Sequence, residues 1–245
     1  MRTAIRTSVF LTTALGLVMP IQAEADVTVR LRRGRLTVTG DSAANDITIA
    51  VSEGLISVTS GMLAEPFPRA DVSQITVTTK RGDDRVVFTT AVPPSIDQTP
   101  SETMEEETVE PIDISVNTSS GEDTVEVGGS WGDVSINSGS DDDAVCIIGA
   151  TISGDTRIRT GSGDDSVTIG VSFGGEEPDV QFGDDVNIGL GGGDDNIWVN
   201  GTQFGSNSVR LNGNAGEDCY FFFDNDVNLE AIAVSLEEDC FDDEG

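Results

Sequence analysis

Short acidic turns recur along this chain, and their carboxylates are of a type and spacing that could bind a divalent cation. Seven repeats align on one position, which is acidic in all but the first: Asn45, Asp84, Asp123, Asp143, Asp165, Asp195 and Asp218. A second acid directly precedes this position in six repeats, and a glycine precedes that acid in five. Ca²⁺ prefers such ligands, because it accepts about six to eight carboxylate and carbonyl oxygens in flexible geometry.

The pattern therefore predicts calcium sites built from acids and glycine turns. The predicted metal ligands are Asp84, Asp123, Asp142, Asp143, Asp164, Asp165, Asp194, Asp195 and Asp218. The predicted turn glycines are Gly82, Gly121, Gly161, Gly163, Gly191, Gly193 and Gly216. Mg²⁺ should compete poorly, because it demands octahedral geometry and keeps its waters. The chain has no histidine and three scattered cysteines, so zinc or copper sites are not expected.

Two pairs of apolar residues flank each turn, at two and four residues after the aligned position and at seven and nine residues before it. Of these 28 positions 27 are apolar, against 37% of the whole chain, and Thr156 is the exception. The two members of each pair are two residues apart, so both side chains point to one face of an extended strand. Each repeat is therefore predicted to be a strand, an acidic turn and a second strand, with one buried face.

The spacing of the repeats indicates how they stack. Successive aligned positions are 39, 39, 20, 22, 30 and 23 residues apart, and the shorter intervals are typical of one coil of a β-solenoid. We expect an all-β, single-domain parallel β-helix of about seven coils, with the acidic turns on one side. The longer intervals should hold insertions, including a hairpin around Gly54 and an excursion at 173–179. The alternative is a β-sandwich whose hairpins carry these turns.

Stacked acidic turns create an electrostatic problem. Equivalent turns would lie about 4.8 Å apart, where two unit charges repel by about 0.9 kcal/mol in water and about 3.5 kcal/mol at an effective dielectric of about 20. A ladder of such turns is therefore predicted to hold ordered calcium. The alternative is that the acids only form a solvated edge of the surface.

The best-preserved turns resemble the hemolysin-type, or RTX-like, calcium-binding repeat, which reads G-G-x-G-x-D-x-U-x with U a large apolar residue. Thr160–Thr168 (TGSGDDSVT) and Leu190–Trp198 (LGGGDDNIW) match every fixed position except the first glycine. The resemblance implies that Asp165 and Asp195 share calcium with the carbonyls of stacked turns. Family repeats usually give two calcium turns per coil, whereas here irregular segments such as GGSWGD replace the second turn. The resemblance thus implies a diverged member with metal on one side.

The ends and interruptions of the chain suggest its organisation. Residues 1–23 have the layout of a secretory signal peptide, and 24–245 should form the β-helix domain. Within it, 91–111 are rich in Pro, Glu and Thr and are predicted to be a disordered loop, and 224–245 a C-terminal cap and acidic tail. Cys219 and Cys240 could form a disulfide, in which case Cys146 would have no cysteine partner within the chain. No later segment reaches the length of a membrane span.

Charge limits the classes of function. The chain has 13 basic and 44 acidic residues, a net charge of −31, so nucleic acid is not an expected partner. We predict a secreted, non-enzymatic calcium-binding protein with a structural or adhesive role at the cell surface or in the matrix. Its expected partners are calcium ions and an extracellular glycan or surface protein. The alternative is a calcium-dependent polysaccharide lyase-like enzyme, in which Arg157 or Arg210 would abstract the proton.

Two surface features each allow two interpretations. Arg30, Arg32, Arg33 and Arg35 are either a solvated cap that discourages edge pairing or the head of a head-to-tail contact with the acidic C-terminus. Trp198 and Phe221 share an outward position in adjacent repeats and either stack on a sugar or are covered by the apolar segment Ala231–Leu236.

Overall fold

The computed structural model describes residues 26–52, 54–90, 110–170, 179–205, 208–223, 233–234 and 237–238. Within these ranges the chain forms β-strands, one 3₁₀ helix (Arg69–Asp71) and no α-helix. The strands are β1 (Thr28–Arg32), β2 (Arg35–Thr39), β3 (Asp46–Ser52), β4 (Leu55–Ser60), β5 (Leu63–Pro68), β6 (Gln74–Thr78), β7 (Arg85–Thr90), β8 (Asp113–Asn117), β9 (Thr124–Trp131), β10 (Val134–Ser140), β11 (Ala144–Ile152), β12 (Thr156–Ser162), β13 (Ser166–Ile169), β14 (Val180–Phe182), β15 (Val186–Gly192), β16 (Asn196–Asn200), β17 (Thr202–Phe204), β18 (Val209–Ala215), β19 (Cys219–Phe223), β20 (Ala233–Val234) and β21 (Glu237–Glu238).

The strands form two sheets, and the chain alternates between them. The nine-stranded sheet has the order β1-β2-β6-β8-β10-β12-β15-β18-β20. The twelve-stranded sheet runs β21-β19-β16-β13-β11-β9-β7-β3-β4-β5, with β14 pairing β11 and β17 beside this path. Strands of successive repeats pair in parallel. The protein is therefore all-β with parallel sheets, which is compatible with the predicted β-helix.

The acidic turns are not hairpin turns. The two strands that flank such a turn, for example β12 and β13, lie in different sheets and are not paired with each other. Antiparallel pairing among the described strands is confined to β1–β2 and β3–β4–β5, at the N-terminal end of the sheets. The second of these confirms the predicted hairpin around Gly54. The hairpins of the alternative β-sandwich are thus found at one end only.

The core lies between the sheets and is built from the apolar pairs predicted above. Because the parallel strands keep one register, equivalent residues such as Ile136, Ile158 and Ile188 are direct partners. Of the 28 positions, 25 are at most 2% exposed, Thr156 included, and the rest are half-buried in the last repeat: Val209, Tyr220 and Phe222. Burying one such aliphatic side chain contributes about 1.5–3 kcal/mol, so the repeated pattern provides most of the driving force.

Some predicted segments lie largely outside the described residues. They are 1–23, 91–111 apart from its last two residues, 173–179 apart from Asp179, and 224–245 apart from β20 and β21. In the part of the chain that the structure does describe, no helix is both long enough and apolar enough to cross a membrane.

The described part of the apolar C-terminal segment does not cover Trp198 and Phe221, although one interpretation of the sequence required it. Ala233–Val234, the described part of the apolar C-terminal segment, pairs with β18 in the nine-stranded sheet. Trp198 and Phe221 lie on β16 and β19 of the twelve-stranded sheet, with ring centroids 4.2 Å apart. Trp198 remains 44% exposed and Phe221 39% exposed. The prediction that this segment covers the pair is therefore wrong for its described residues.

Candidate metal centre

Each acidic turn connects a strand of the nine-stranded sheet to the next strand of the twelve-stranded sheet. The seven predicted turn glycines all have positive φ, between 105° and 142°, a region that glycine adopts without steric cost. At Gly193, a Cβ atom would overlap the carbonyl oxygen of Gly163 in the preceding repeat. Glycine therefore allows neighbouring turns to stack at the spacing of the sheets.

The aligned acids form one buried line of carboxylates, which we call the inner column. Its members are Asp84, Asp123, Asp143, Asp165, Asp195 and Asp218. Each is at most 2% exposed, because each precedes a strand whose next inward residue is part of the core. A solvated surface edge therefore does not describe these side chains.

One oxygen of each inner-column carboxylate bonds to the neighbouring turn. The Oδ1 atom accepts the backbone N–H of the aligned residue in the preceding repeat, for instance Asp143 N–H to Asp165 Oδ1 and Asp165 N–H to Asp195 Oδ1, both 2.8 Å. The same bond occurs at every step from Asn45 to Asp218, with distances of 2.7 to 3.2 Å. The column therefore ties the turns together through one carboxylate oxygen each.

The second oxygen has no partner. The Oδ2 atoms of all six inner-column aspartates are buried without a hydrogen bond. Hydroxyls lie beside several of these carboxylates, yet they donate elsewhere: Thr79 Oγ1 to the Thr118 carbonyl at 2.9 Å, and Thr118 Oγ1 to the Ser138 carbonyl at 2.7 Å. A buried carboxylate with an unpaired oxygen is costly. Each position therefore calls for either a proton or a cation.

Burial also changes how the inner column titrates. Burial is the largest cause, and together with the neighbouring carboxylates, and against hydrogen bonds that lower the pKa, it raises the pKa of Asp123 to about 6 and of Asp143 and Asp195 to about 7. Burial likewise raises the pKa of Asp84, Asp165 and Asp218. Without a cation, part of the column is thus protonated at neutral pH.

The preceding acids form a second line, which we call the outer column: Asp83, Glu122, Asp142, Asp164, Asp194 and Glu217. All six side chains are exposed. Asp142 Oδ1 accepts the N–H of Asp164, and Asp164 Oδ1 accepts the N–H of Asp194, both at 2.8 Å. These bonds run toward the following repeat, opposite in direction to those of the inner column. The predicted ligands Asp142, Asp164 and Asp194 are therefore separated from their buried neighbours, and the predicted set is two columns rather than one cluster.

Sequence reasoning missed the acids at the opposite corner of the repeats. Asp113, Asp133, Asp155 and Asp185 each lie ten residues before an aligned aspartate, and this recurrence is the signal that could have revealed them. Asp133 Oδ1 accepts the N–H of Asp155 at 2.9 Å. Among the described residues, the only three acids whose ligand atoms lie within 4.8 Å of one another are Asp155, Asp184 and Asp185, all exposed. Acids therefore occupy both corners, with the buried ones at the predicted corner.

The remaining candidate residues lie elsewhere. Arg157 and Arg210 are exposed near the starts of β12 and β18, both in register with Asn187, whereas the inner column follows the ends of those strands. Cys219 is disulfide-bonded and Cys146 is free. Cys240, the other member of the predicted pair, lies outside the described residues.

Comparison with known proteins adds no relative. No protein-family model matches the chain, and no curated protein or solved structure is significantly similar to it.

Proposed function

We propose that this chain is a secreted, calcium-binding, parallel β-helical repeat protein with a structural or adhesive role at the cell surface or in the extracellular matrix. The β-helix is supported by two parallel sheets between which the chain alternates at every acidic turn. Hairpin pairing is limited to the N-terminal end of the described strands. Each repeat then supplies one coil, and neighbouring coils cover each other's apolar residues.

The observation that carries the calcium proposal is the inner column with its six buried, unpaired Oδ2 atoms. Oxygen ligands, glycine turns and a carboxylate at each step fit a hard divalent cation. Asp165 and Asp195 are the first candidates as ligands, since their turns match the calcium-binding nonapeptide most closely. When bound, calcium would supply positive charge between stacked carboxylates.

Protons and calcium compete for the same oxygens in this proposal. The raised pKa values of Asp143 and Asp195 favour protonation of these carboxylates near neutral pH when no cation is bound. Calcium binding requires ionised carboxylates and therefore releases those protons. Weak extracellular calcium sites have dissociation constants of about 10⁻⁴–10⁻³ M. Such affinity would stabilise the fold outside the cell, where calcium is abundant, more than inside it.

A structural role follows from where the candidate ligands lie. The inner column is enclosed by the turns and offers no bound ion to a substrate, so its calcium would hold adjacent coils together. The alternative of a lyase would need Arg157 or Arg210 beside the calcium, yet both lie toward the other end of their strands. Adhesion is the remaining part of the proposal, and the two outward sheet faces are the surfaces available for it.

Thermal unfolding tests the calcium proposal directly. We expect the purified protein to melt at a low temperature in chelator and to be stabilised by calcium, by about 1.4 kcal/mol for each site at a concentration tenfold above its dissociation constant. Magnesium should stabilise much less. Circular dichroism at increasing metal concentration measures both responses. A protein that melts at the same temperature in chelator and in calcium would sink the proposal.

A further inference from the structure

Charge is distributed very unevenly along the repeats. Residues 26–90 contain eight basic and eight acidic side chains, whereas 91–245 contain three basic and 35 acidic ones. The first part forms the N-terminal end of both sheets, and the last strands, β20 and β21, lie at the opposite ends. The molecule is therefore electrostatically polar along the direction in which the repeats stack.

Unpaired arginines are concentrated on the first hairpin, β1–β2, which we call the arginine hairpin. Arg30, Arg32 and Arg33 are exposed, and the salt bridges among the described residues involve only Arg85. Arg32 lies directly opposite Arg35 across the two strands, and like charges in such a pair cost stability. An anionic partner at this hairpin would remove that cost.

The two sheets differ in how their N-terminal edges are finished. The edge strand of the twelve-stranded sheet is β5, where Pro66 and Pro68 lack the N–H groups that another strand would need. The edge strand of the nine-stranded sheet is β1, which contains no proline and carries Arg30 and Arg32. The open edge is therefore also the basic one.

The acidic C-terminal segment begins at the end of the sheets opposite to this edge. Eight strand-to-strand steps separate β1 from β20 in the nine-stranded sheet, which is about 38 Å at about 4.8 Å per step. Residues 237–245 carry six acids and no basic residue, and they begin at β21, the edge strand of the twelve-stranded sheet opposite to β5. Their charge is therefore complementary to the arginine hairpin of another copy.

We infer that the arginine hairpin binds the acidic C-terminal segment, residues 237–245, of a second copy of this chain, so that molecules associate head to tail. Such a contact joins two different surfaces and leaves one of each free, so it continues into a chain of molecules rather than closing as a dimer. It would join the N-terminal end of the sheets in one copy to the C-terminal end of the sheets in the next. The inference goes beyond the calcium proposal and does not depend on it.

Sedimentation velocity at constant calcium tests this inference. We expect concentration-dependent association at about 0.02 M NaCl that weakens about tenfold or more at about 0.5 M, because the Debye length falls from about 20 Å to about 4 Å. Arg30→Glu with Arg32→Glu should abolish association. The matched control, Arg157→Glu with Arg159→Glu, makes the same charge change on another part of the same sheet and should leave association intact.

Exchanging the charges of the two surfaces distinguishes a lost contact from a variant that fails to fold. A tail variant, Asp242→Lys with Asp243→Lys, should also fail to associate alone, but should associate when mixed with the hairpin variant, because each then meets an opposite charge. Circular dichroism checks that both variants keep their β-structure. The inference would be overturned by any of three results. The wild-type protein could stay monomeric, the two variants could fail to associate when mixed, or the hairpin could bind only added polyglutamate and not the C-terminus.

Discussion

Asp164 and Asp165 are adjacent and chemically identical, yet the structure places them in opposite surroundings. Asp165 belongs to the inner column and is fully buried, whereas Asp164 belongs to the outer column and faces solvent. Both carboxylates accept one backbone N–H from a neighbouring repeat at 2.8 Å. Only the buried one keeps a second oxygen that is buried without a hydrogen-bond partner.

The comparison shows that position in the turn, not residue type, decides what an aspartate contributes. In the outer column, solvent screens the charge and stabilises the free oxygen. In the inner column that oxygen is desolvated, so the same side chain must bind a proton or a cation. A Gly-Asp-Asp turn therefore combines a solvated hydrogen-bond acceptor with a buried cation ligand.

The largest expected effect comes from breaking both columns at the glycine that precedes them. Gly193→Ala should destabilise the protein by about 3 kcal/mol or more, because Gly193 has φ of 135° and a Cβ atom would overlap the Gly163 carbonyl. Chemical denaturation measures the loss.

The neighbouring residue provides the control for this substitution. A Cβ atom at Gly192 meets nothing closer than 3.8 Å, and this glycine does not have positive φ. Gly192→Ala should therefore change the free energy of unfolding by less than about 0.5 kcal/mol. Equal losses in the two variants would show that stacking of the turns does not require glycine at 193.

A smaller effect separates the two columns by charge alone. Asp165→Asn keeps the Oδ1 acceptor, and Asn45 shows how an amide fits this position, with Nδ2 donating to the Ala43 carbonyl at 2.6 Å. In chelator this variant should be more stable than wild type by about 1–2 kcal/mol, because a buried charge is removed. In calcium it should lose part of the metal-induced stabilisation. Melting in both conditions measures the two changes.

Asp164→Asn is the matched control for the exposed column. It should stay within about 0.5 kcal/mol of wild type in both conditions. The comparison between columns fails if Asp164→Asn weakens the calcium response as much as Asp165→Asn does.

The pH dependence of stability distinguishes the two columns in a further way. The inner-column pKa values are raised from 3.8, for Asp143 and Asp195 to about 7, so the folded state holds protons that the unfolded state releases. In chelator, the free energy of unfolding should therefore fall as pH rises from 3.8 to about 7. Calcium should flatten this slope.

Denaturant titrations at several pH values measure the slope, and the same pair of variants locates its origin. Asp165→Asn should reduce it, while Asp164→Asn should leave it nearly unchanged. A free energy of unfolding that rises with pH in chelator would contradict the burial of ionisable carboxylates.

The sequence was sufficient for the strands, the turns and the inward register. Apolar residues two apart, such as Val167 and Ile169, recur on both sides of each turn, and the parallel pairing keeps them in register. Thr156, the single polar exception, is nevertheless buried, because the register of β12 leaves its side chain no other direction. Local periodicity thus determined burial wherever the repeat was regular.

The division of the acids into two columns was not predicted from the sequence. Adjacent aspartates look equivalent in a motif, and only the entry of the chain into the next strand decides which of the two turns inward. The corner with Asp155, Asp184 and Asp185 was missed because its acids recur in fewer repeats and its turns lack a common glycine pattern. Pairing of Ala233–Val234 with β18 was likewise not evident from so short an apolar segment.

The half-burial of the last repeat has a consequence for how the protein opens. Three inward residues of this repeat are only partly buried, Val209, Tyr220 and Phe222, whereas the equivalent residues of every earlier repeat are fully buried. In a linear array each unit is held by its neighbours alone, so local unfolding begins where one neighbour is least complete. Amide hydrogens should accordingly exchange in a gradient, fastest in β18 and β19 and slowest in the middle of the stack, and the N-terminal hairpins act as a stop against fraying from the other end.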